Sequence, residues 1–392
     1  MEDKPHIIYI KRPNYETLSD LQKLHFAAIP PVNTNISFNL QNCLYKDQRK
    51  YFQIKDTPEN FNWRDVTPED SDEIKRKKKL IYPVLNQELC GCCYAMVVAQ
   101  AISDTFVISG IVDYFPNIST TYALACYGQG KCNGGNPGKL LQEIAKGGIS
   151  DNDCLNYDWC TDSKECTSKD TLIKNHNLNL LISNCKCKTD SSYKLYFIDE
   201  YICAGSIETN RELYFSEVKN HIYQVGPTIV GFNLKTNFIS GNFTKINNGI
   251  YFENGDYSNP NIIKFKNYEL FNYLGGHSVC VMGWGIAKNT IIDNEGTIAD
   301  VPYWLCRNTW GSNWGYDGGY FKIATTPYNE NIQFDVKKND PNSLGGQILF
   351  YASKPPITVN NRRENYENKA KKKSNWMLLI ILVIILLLIF MK

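Results

Sequence analysis

The sequence predicts an α+β fold in which a helical subdomain and an antiparallel β subdomain enclose a cleft. Two observations support this prediction. Residues 94–109, YAMVVAQAISDTFVIS, are apolar on most faces over a length typical of one buried helix. Residues from about 221 to 350 instead contain short β-branched and aromatic runs separated by Gly, Asn and Pro, such as GPTIVGFNL, HSVCVMGWGI and YFKIATT.

Composition narrows the class of protein. The chain has 392 residues and is 43% hydrophobic, which is enough for one large domain or two modest ones. A net charge of +2 gives no field that would attract nucleic acid, so we expect no nucleic-acid partner. Fourteen cysteines exceed what an ordinary cytosolic enzyme of this size contains, and they favour a disulfide-bonded fold.

Four regions are predicted along the chain. Residues 1–60 form a leader of mixed polarity, in which charges and prolines interrupt every apolar stretch that could serve as a secretory signal. Residues 61–355 form the folded domain. Residues 356–375 are rich in Pro, Asn and charge, and they predict a flexible basic stalk.

The fourth region, residues 376–391, is predicted to be a transmembrane helix that anchors the protein in a lipid bilayer. Residues 377–391 are apolar at all fifteen positions. Such a helix is about 22 Å long, short of the roughly 30 Å hydrocarbon core, but a buried core element would not follow a polar linker at a chain end. Lysines precede the segment, which favours a tail-anchored, cytosol-facing domain, whereas the cysteines fit a virion or endomembrane location better.

Four short stretches contain the residues suited to catalysis. They are QELCGCCYA at 87–95, KCNGGNP at 131–137, GGHSVCVMGWG at 275–285 and RNTWGSNWG at 307–315. In this order they resemble the active-site motifs of papain-like cysteine peptidases, over about residues 61–335. The resemblance implies a papain-like peptidase domain with a helical left subdomain and an antiparallel, β-barrel-like right subdomain.

The residues themselves fit the chemistry of a thiol peptidase. Cys93 immediately precedes the predicted helix, where unpaired N–H groups and the helix dipole favour a thiolate nucleophile. His277 would exchange a proton with Cys93, and Asn308 would orient the imidazole. The amide of Gln87, with the backbone N–H of Cys93, would form the oxyanion hole. Trp310 would shield the bond between His277 and Asn308 from water.

Four positions are assigned to substrate binding. Gly134 and Gly135 lack side chains, so a protein or peptide substrate could pair with this segment as an added strand. Gly276, in the Gly-Gly-His step, and Trp310 are placed with them by the resemblance. We expect neither a cofactor nor a metal ion.

The resemblance also implies a disulfide between Cys90 and Cys132. That bridge would make Cys90 unavailable as a redox partner of Cys93. A thiol oxidoreductase that uses the Cys90–Cys93 pair would in addition need a βαβ context, which the sequence around the motif lacks.

The remaining cysteines are less determined. Cys126 is expected to form a disulfide with a cysteine that follows it, and spacing does not choose among the candidates Cys154, Cys160 and Cys166. Cys185 and Cys187 could form half of a zinc site, but no second pair has ligand spacing, so disulfides or thiols are favoured. Cys43, in the leader, is either a reversible partner of Cys93 or an unremarkable buried cysteine.

Two departures from the family pattern matter for activity. Tyr94 stands where the family usually has Trp, and Cys92 where it usually has Ser, for which the sequence offers no reason. These changes motivate one alternative, a catalytically silent papain-fold binding module. Four intact residues argue against that alternative: Gln87, Cys93, His277 and Asn308.

The run at 147–166, GGISDNDCLNYDWCTDSKEC, resembles the cathepsin X (or Z) branch, whose members are carboxypeptidases. In that branch a His between the oxyanion Gln and the first Cys grips the substrate's terminal carboxylate. Glu88 and Leu89 occupy this gap here. We therefore predict an open cleft and endopeptidase activity, with a carboxypeptidase of cathepsin X type as an alternative.

Overall fold

The computed structural model describes residues 55–127, 130–161, 185, 187, 192–203, 211–259, 261–330 and 346–359. The leader up to residue 54 with Cys43, the loop cysteine Cys166, the stalk from residue 360 and the apolar C-terminal segment lie outside these ranges. Within the ranges, no helix is long and apolar enough to span a membrane. Membrane anchoring therefore stays a prediction.

The longest helix in the described part of the chain begins at the proposed nucleophile. It spans Cys93–Ile108, and all sixteen of its residues are buried, which confirms the predicted buried helix. In chain order the helices are α1 (Asp72–Lys78), α2 (Cys93–Ile108), α3 (Thr120–Cys126), α4 (Pro137–Gly147), α5 (Asp158–Thr161), α6 (Arg211–Gln224) and α7 (Thr236–Ile239). Helices α3 and α4 both pack against α2, so the helical part of the molecule surrounds this buried helix.

The strands concentrate in the second half of the chain, as predicted. They are β1 (Phe61–Asn62), β2 (Ile149–Ser150), β3 (Tyr193–Tyr196), β4 (Glu200–Cys203), β5 (Thr228–Lys235), β6 (Ile250–Tyr251), β7 (Gly255–Asp256), β8 (Lys264–Phe265), β9 (Tyr273–Ile291), β10 (Ile298–Arg307), β11 (Tyr320–Ala324), β12 (Gln347–Tyr351) and β13 (Ile357–Val359). Three segments predicted as strands correspond to β5, β9 and β11.

The main sheet has eight strands in the order β4-β12-β5-β9-β10-β11-β6, and β1 also pairs with β9. The pairing is antiparallel except between β11 and β6, which run parallel. At its centre, Phe232 of β5 lies opposite His277 of β9, and Arg307 of β10 lies opposite Cys280. Because α2 packs directly on β9, the helical part and the sheet meet at these residues.

A smaller sheet closes the C-terminal side of the described domain. Strand β13 pairs with β3, which pairs with β2, and all pairs are antiparallel. Residues 357–359 thus form paired strand inside the range predicted as stalk. All three residues, Ile357, Thr358 and Val359, are β-branched, which suits a strand.

Three disulfides join described cysteines. Cys90 bonds to Cys132, as the resemblance implied. Cys126 bonds to Cys185, so the prediction of a partner among Cys154, Cys160 and Cys166 was wrong. The physical reason is that the chain returns to the end of α3 only after 59 residues, where the two Cα atoms lie 4.6 Å apart.

Two members of that candidate set are disulfide-bonded to other cysteines. Cys154 bonds to Cys187, and Cys160 is in a disulfide as well. Because Cys185 and Cys187 belong to separate disulfides, they do not form half of a zinc site. Among the described residues, no group of three or more His, Cys, Asp or Glu side chains is placed to hold a metal ion.

Candidate active site

The thiol of Cys93 lies at the first residue of α2, behind a turn that is tied to the neighbouring loop. The Cys90–Cys132 disulfide crosses this turn, and the Gly91 N–H donates to the Cys132 carbonyl over 2.9 Å. Gly91 also forms a bridge with Asn133. The helix start is therefore fixed to the segment that leads into the Gly134–Gly135 pair.

His277 and Asn308 approach Cys93 from the sheet. His277 lies in β9, and Asn308 directly follows β10, its antiparallel neighbour. The His277 Nε2 and Asn308 Oδ1 atoms are 2.7 Å apart, and the Ser278 N–H donates to the Cys93 Sγ over 3.4 Å. Three residues that are far apart in sequence therefore meet where α2 begins.

The imidazole of His277 is buried under an aromatic side chain. Its ring centroid is 4.6 Å from that of Trp310, with the planes 31° apart. Burial lowers the pKa of His277 to about 4, while the hydrogen bond with Asn308 raises it in part. Since Nε2 donates to Asn308, Nδ1 is the nitrogen that can accept a proton, and it has no hydrogen-bond partner in the described part of the chain.

Asn308 is itself held in place by backbone groups. Its N–H donates to the Gly319 carbonyl over 3.0 Å, and its side-chain Oδ1 accepts from the Thr309 N–H over 2.8 Å. The Asn308 amide therefore cannot rotate without losing a second hydrogen bond. This restriction fixes which imidazole nitrogen faces it.

Gln87 links the two sides of the site. Its N–H donates to the Thr309 carbonyl over 2.8 Å, and its side-chain Oε1 accepts from the Thr309 hydroxyl over 2.6 Å. Its Nε2 donates to the Cys90 carbonyl over 3.0 Å. The amide is thus fixed near Cys93, and its role as an oxyanion donor stays a prediction.

The glycine pair lies against the second residue of α2. A Cβ at Gly135 would come within 2.4 Å of the Tyr94 ring, so a side chain at this position is excluded. Gly134 adopts a φ of +97°, which favours glycine. The Tyr94 hydroxyl donates to the Lys131 carbonyl over 3.3 Å, so the aromatic residue found in place of Trp binds this loop. Gly276 lies in β9 opposite Asn233 of β5.

Comparison with known proteins identifies the family. The profile of the papain family of cysteine proteases matches residues 57–338. The chain belongs to this family. A probable cysteine proteinase, 024R, of Invertebrate iridescent virus 3 is 41% identical over 320 residues, which cover 77% of this chain and 64% of the viral protein. The papain-family chain therefore spans less than two thirds of that relative's length.

Other similarities of this papain-family chain are more distant. Cathepsin Z of Onchocerca volvulus is 24% identical over 322 residues, covering 78% of this chain and 87% of that protein. A procathepsin B structure from Trypanosoma congolense covers 86% of this chain and 89% of its own, with a TM-score of 0.53 and 19% identity. This likeness confirms the predicted papain-like fold of mixed helix and sheet. The placement in the cathepsin X branch stays a prediction.

Two site residues had no signal in the sequence. Thr309 occupies the variable position of the Asn-x-Trp motif, yet its backbone and hydroxyl both hold Gln87. Tyr157 lies in the Cys-rich loop, and its hydroxyl donates to the Gln87 carbonyl over 3.2 Å. A tyrosine seventy residues away along the chain gives no periodic or motif pattern from which this contact could be inferred.

Proposed function

We propose that this papain-family protein hydrolyses peptide bonds with Cys93 as nucleophile. His277 exchanges the proton, Asn308 orients the imidazole, and Gln87 donates to the oxyanion. The observation that carries the proposal is the convergence of the Cys93 thiol with the hydrogen-bonded His277 and Asn308 pair where α2 meets β9. Their order and chemistry match what acyl transfer by a thiol requires.

The reaction proceeds in two halves. Cys93 gives its proton to the Nδ1 of His277, and the thiolate sulfur attacks the scissile carbonyl carbon. The carbon–nitrogen bond breaks as His277 returns the proton to the leaving amine, which leaves a thioester on Cys93. His277 then takes a proton from water, the hydroxide attacks the thioester carbon, and the carbon–sulfur bond breaks. The acid product leaves, and His277 returns its proton to the thiolate of Cys93.

The surroundings affect the charged forms of Cys93 and His277 in opposite ways. The start of α2 favours a thiolate at Cys93, because the positive end of the helix dipole lies there. Burial in turn disfavours a charged His277, whose pKa it lowers to about 4. The imidazolium therefore depends on the nearby thiolate and on the hydrogen bond to Asn308. This dependence makes the pair a single proton-sharing unit.

We propose endopeptidase rather than carboxypeptidase specificity, and Glu88 supports the choice. It follows Gln87 directly, has a left-handed backbone φ of +50°, and its carboxyl accepts from the Asn86 side chain over 2.5 Å. A histidine would be needed near this point to hold a substrate's terminal carboxylate. A carboxylate here repels that group instead.

We also propose that residues 376–391 anchor the protein in a membrane, with the peptidase domain in an oxidising compartment. The apolar run 377–391 supports the anchor, and three disulfides in the domain support the compartment. Expression of the full chain and of a truncation after residue 355, followed by alkaline extraction of membranes, tests the anchor. A glycosidase-sensitive gel shift that depends on Asn117 or Asn242 tests the orientation.

Peptide hydrolysis by the full chain tests the catalytic proposal. We expect turnover of fluorogenic peptides that a thiol-directed epoxide abolishes, with the epoxide mapped to Cys93 by mass spectrometry. Cys93→Ala should remove turnover and labelling. Cys280→Ala is the matched control, because the Cys280 thiol is buried and donates to the Val97 carbonyl. Turnover that persists in Cys93→Ala would refute the proposal.

Substrate ends distinguish the two peptidase classes. A quenched peptide blocked at both ends should be cleaved internally at a rate at least equal to its free-acid counterpart. Preferential release of one C-terminal residue from the free acid would favour the carboxypeptidase alternative. Glu88→Gln should raise the rate on the free acid more than on the blocked peptide.

A further inference from the structure

Tyr157 and Cys92 form a hydrogen-bonded chain behind the oxyanion segment. The Tyr157 hydroxyl donates to the Gln87 carbonyl over 3.2 Å and lies 3.1 Å from the Cys92 Sγ. Because the hydroxyl hydrogen is directed at the carbonyl, the Cys92 thiol is the donor to the phenol oxygen. The chain therefore runs from the residue beside the nucleophile to the backbone of the predicted oxyanion residue.

The Cys92 side chain has no competing local role. It occupies the N-cap position of α2, yet it makes no side-chain capping bond. Burial raises the pKa of Cys92 to about 12, and it raises the pKa of Tyr157 far above its usual value. Both groups therefore keep their protons at neutral pH. Cys92 is a hydrogen-bond donor here and not a second thiolate.

The loop that carries Tyr157 is tied to α3. The Trp159 indole donates to the Thr121 hydroxyl over 2.9 Å, and that hydroxyl donates to the Asn156 carbonyl over 2.6 Å. The rings of Tyr157 and Trp159 pack edge to face, with centroids 5.1 Å apart. The phenol is therefore supported independently of Gln87, as a positioning group must be.

We propose that Tyr157 and Cys92 are positioning residues that orient Gln87 and the start of α2 so that the oxyanion donors converge. The inference rests on the proposed peptidase function. Thr309 holds the N–H and the Oε1 of Gln87, while the Tyr157 hydroxyl and the Cys90 N–H both donate to its carbonyl. Loss of the phenol contact leaves the Gln87 carbonyl held less firmly, which misaligns the Gln87 Nε2 with respect to the reacting carbonyl.

The inference also accounts for Cys92. Serine, which the family usually has at this position, would supply the same kind of donor to the phenol through its hydroxyl. The requirement at position 92 is thus a short side chain with one donor hydrogen. Cysteine and serine both meet it, and alanine does not.

Steady-state kinetics of the full chain test the inference. Tyr157→Phe should lower kcat by about tenfold with little change in KM, because oxyanion contacts strengthen in the transition state. Cys92→Ala should lower kcat by a smaller factor, about threefold, and Cys92→Ser should restore it to within about twofold of the wild-type value. Tyr316→Phe, at an exposed tyrosine, is the matched control.

A double-mutant cycle separates positioning from general stability. In a Gln87→Ala background, Tyr157→Phe should cause a clearly smaller loss of kcat, because one of the two groups that it positions is gone. An equal loss in both backgrounds, or a Tyr157→Phe variant with normal kcat and a lowered melting temperature, would overturn the inference alone. Turnover that survives Cys93→Ala would overturn the proposed function and this inference together.

Discussion

The two sides of the active site are stabilised by different interactions. On the helical side, which carries Cys93, all three described disulfides cross-link the turn before α2 and the loops around α3. On the sheet side, which carries His277, the described support is aromatic. Phe238 lies at its centre, in ring contact with six side chains: Phe232, Phe243, Tyr251, Trp310, Trp314 and Phe321.

This difference follows from what each stretch of chain offers. The loops between α3 and β3 have little periodic apolar sequence, so cross-links limit the freedom of their unfolded chain. On the sheet side, residues 274–285 of β9 are all buried, and packing stabilises this side. Cys93 and His277 thus depend on separate sources of stability. Reductants and core mutations should affect them unequally.

The largest predicted effect falls on the contact that joins the two sides. The fully buried Arg307 guanidinium lies 2.7 Å from the Asp104 carboxylate of α2 and donates to the Tyr82 carbonyl. Arg307→Ala leaves Asp104 buried without its cation, which should cost about 5 kcal/mol of unfolding free energy. Urea unfolding measures it. Arg307→Lys keeps the positive charge but loses the planar guanidinium, so its unfolding free energy should lie between those of the wild type and Arg307→Ala. Equal stability of all three proteins would contradict the role given to the Arg307–Asp104 pair.

The second prediction concerns the aromatic core. Phe238→Ala should destabilise the sheet side by about 4 kcal/mol, because it removes a buried ring and leaves a cavity. Phe238→Leu, which fills more of the space, should cost less. Relative to the wild type, Phe238→Ala should accelerate amide hydrogen exchange more in β5 and β9 than in α3 and α4. Uniform acceleration over both sides would contradict independent support.

The third prediction is the converse experiment on the helical side. Replacing Cys90 and Cys132 together by Ala opens a cross-link with a sequence separation of 42 and should cost about 3 kcal/mol. Exchange should accelerate around the turn before α2 and the glycine loop first. The bond between His277 and Asn308 should persist, as judged by the imidazole NMR signals. Loss of those signals would show that the two sides are not independent.

Some features of these two sides were predictable from the sequence and others were not. The buried helix at α2 and the strands β5, β9 and β11 were predictable, because their signals lie within ten to twenty neighbouring residues. The Cys93, His277 and Asn308 set was predictable because each member carries its own local motif.

Contacts between distant segments were not predictable. The Cys126–Cys185 pairing depends on how a long loop returns to α3, and the Arg307–Asp104 pair depends on packing between a strand and a helix. Spacing along the chain predicts neither pair, because it does not distinguish one cysteine or one acidic residue from another as the partner. The support of Gln87 by Tyr157 belongs to the same class of contact.

The smallest predicted effect is a loss of stability in acid on the sheet side, where both described histidines lie. His221 of α6 is buried, its Nε2 lies 3.0 Å from the Phe350 carbonyl oxygen, and burial lowers its pKa from 6.5 to about 4. The folded protein therefore binds fewer protons than the unfolded chain between these values. The stability from His221 is full above about pH 6.5 and is lost as the pH falls toward 4. The loss should be about 2 kcal/mol between about pH 7 and about pH 5.

Asp104 on the helical side has the opposite sign. Burial raises its pKa from 3.8 to about 6, so its contribution to stability falls as the pH rises through this range. Acid should therefore loosen the sheet side before the helical side, as hydrogen exchange at about pH 5 can measure. His221→Gln, which keeps a donor for the Phe350 carbonyl but does not titrate, should flatten the pH dependence. If the unfolding free energy of this variant falls with acid as steeply as that of the wild type, His277 or the carboxyl groups dominate the pH dependence. The two sides would then not differ in their response to pH in the way proposed.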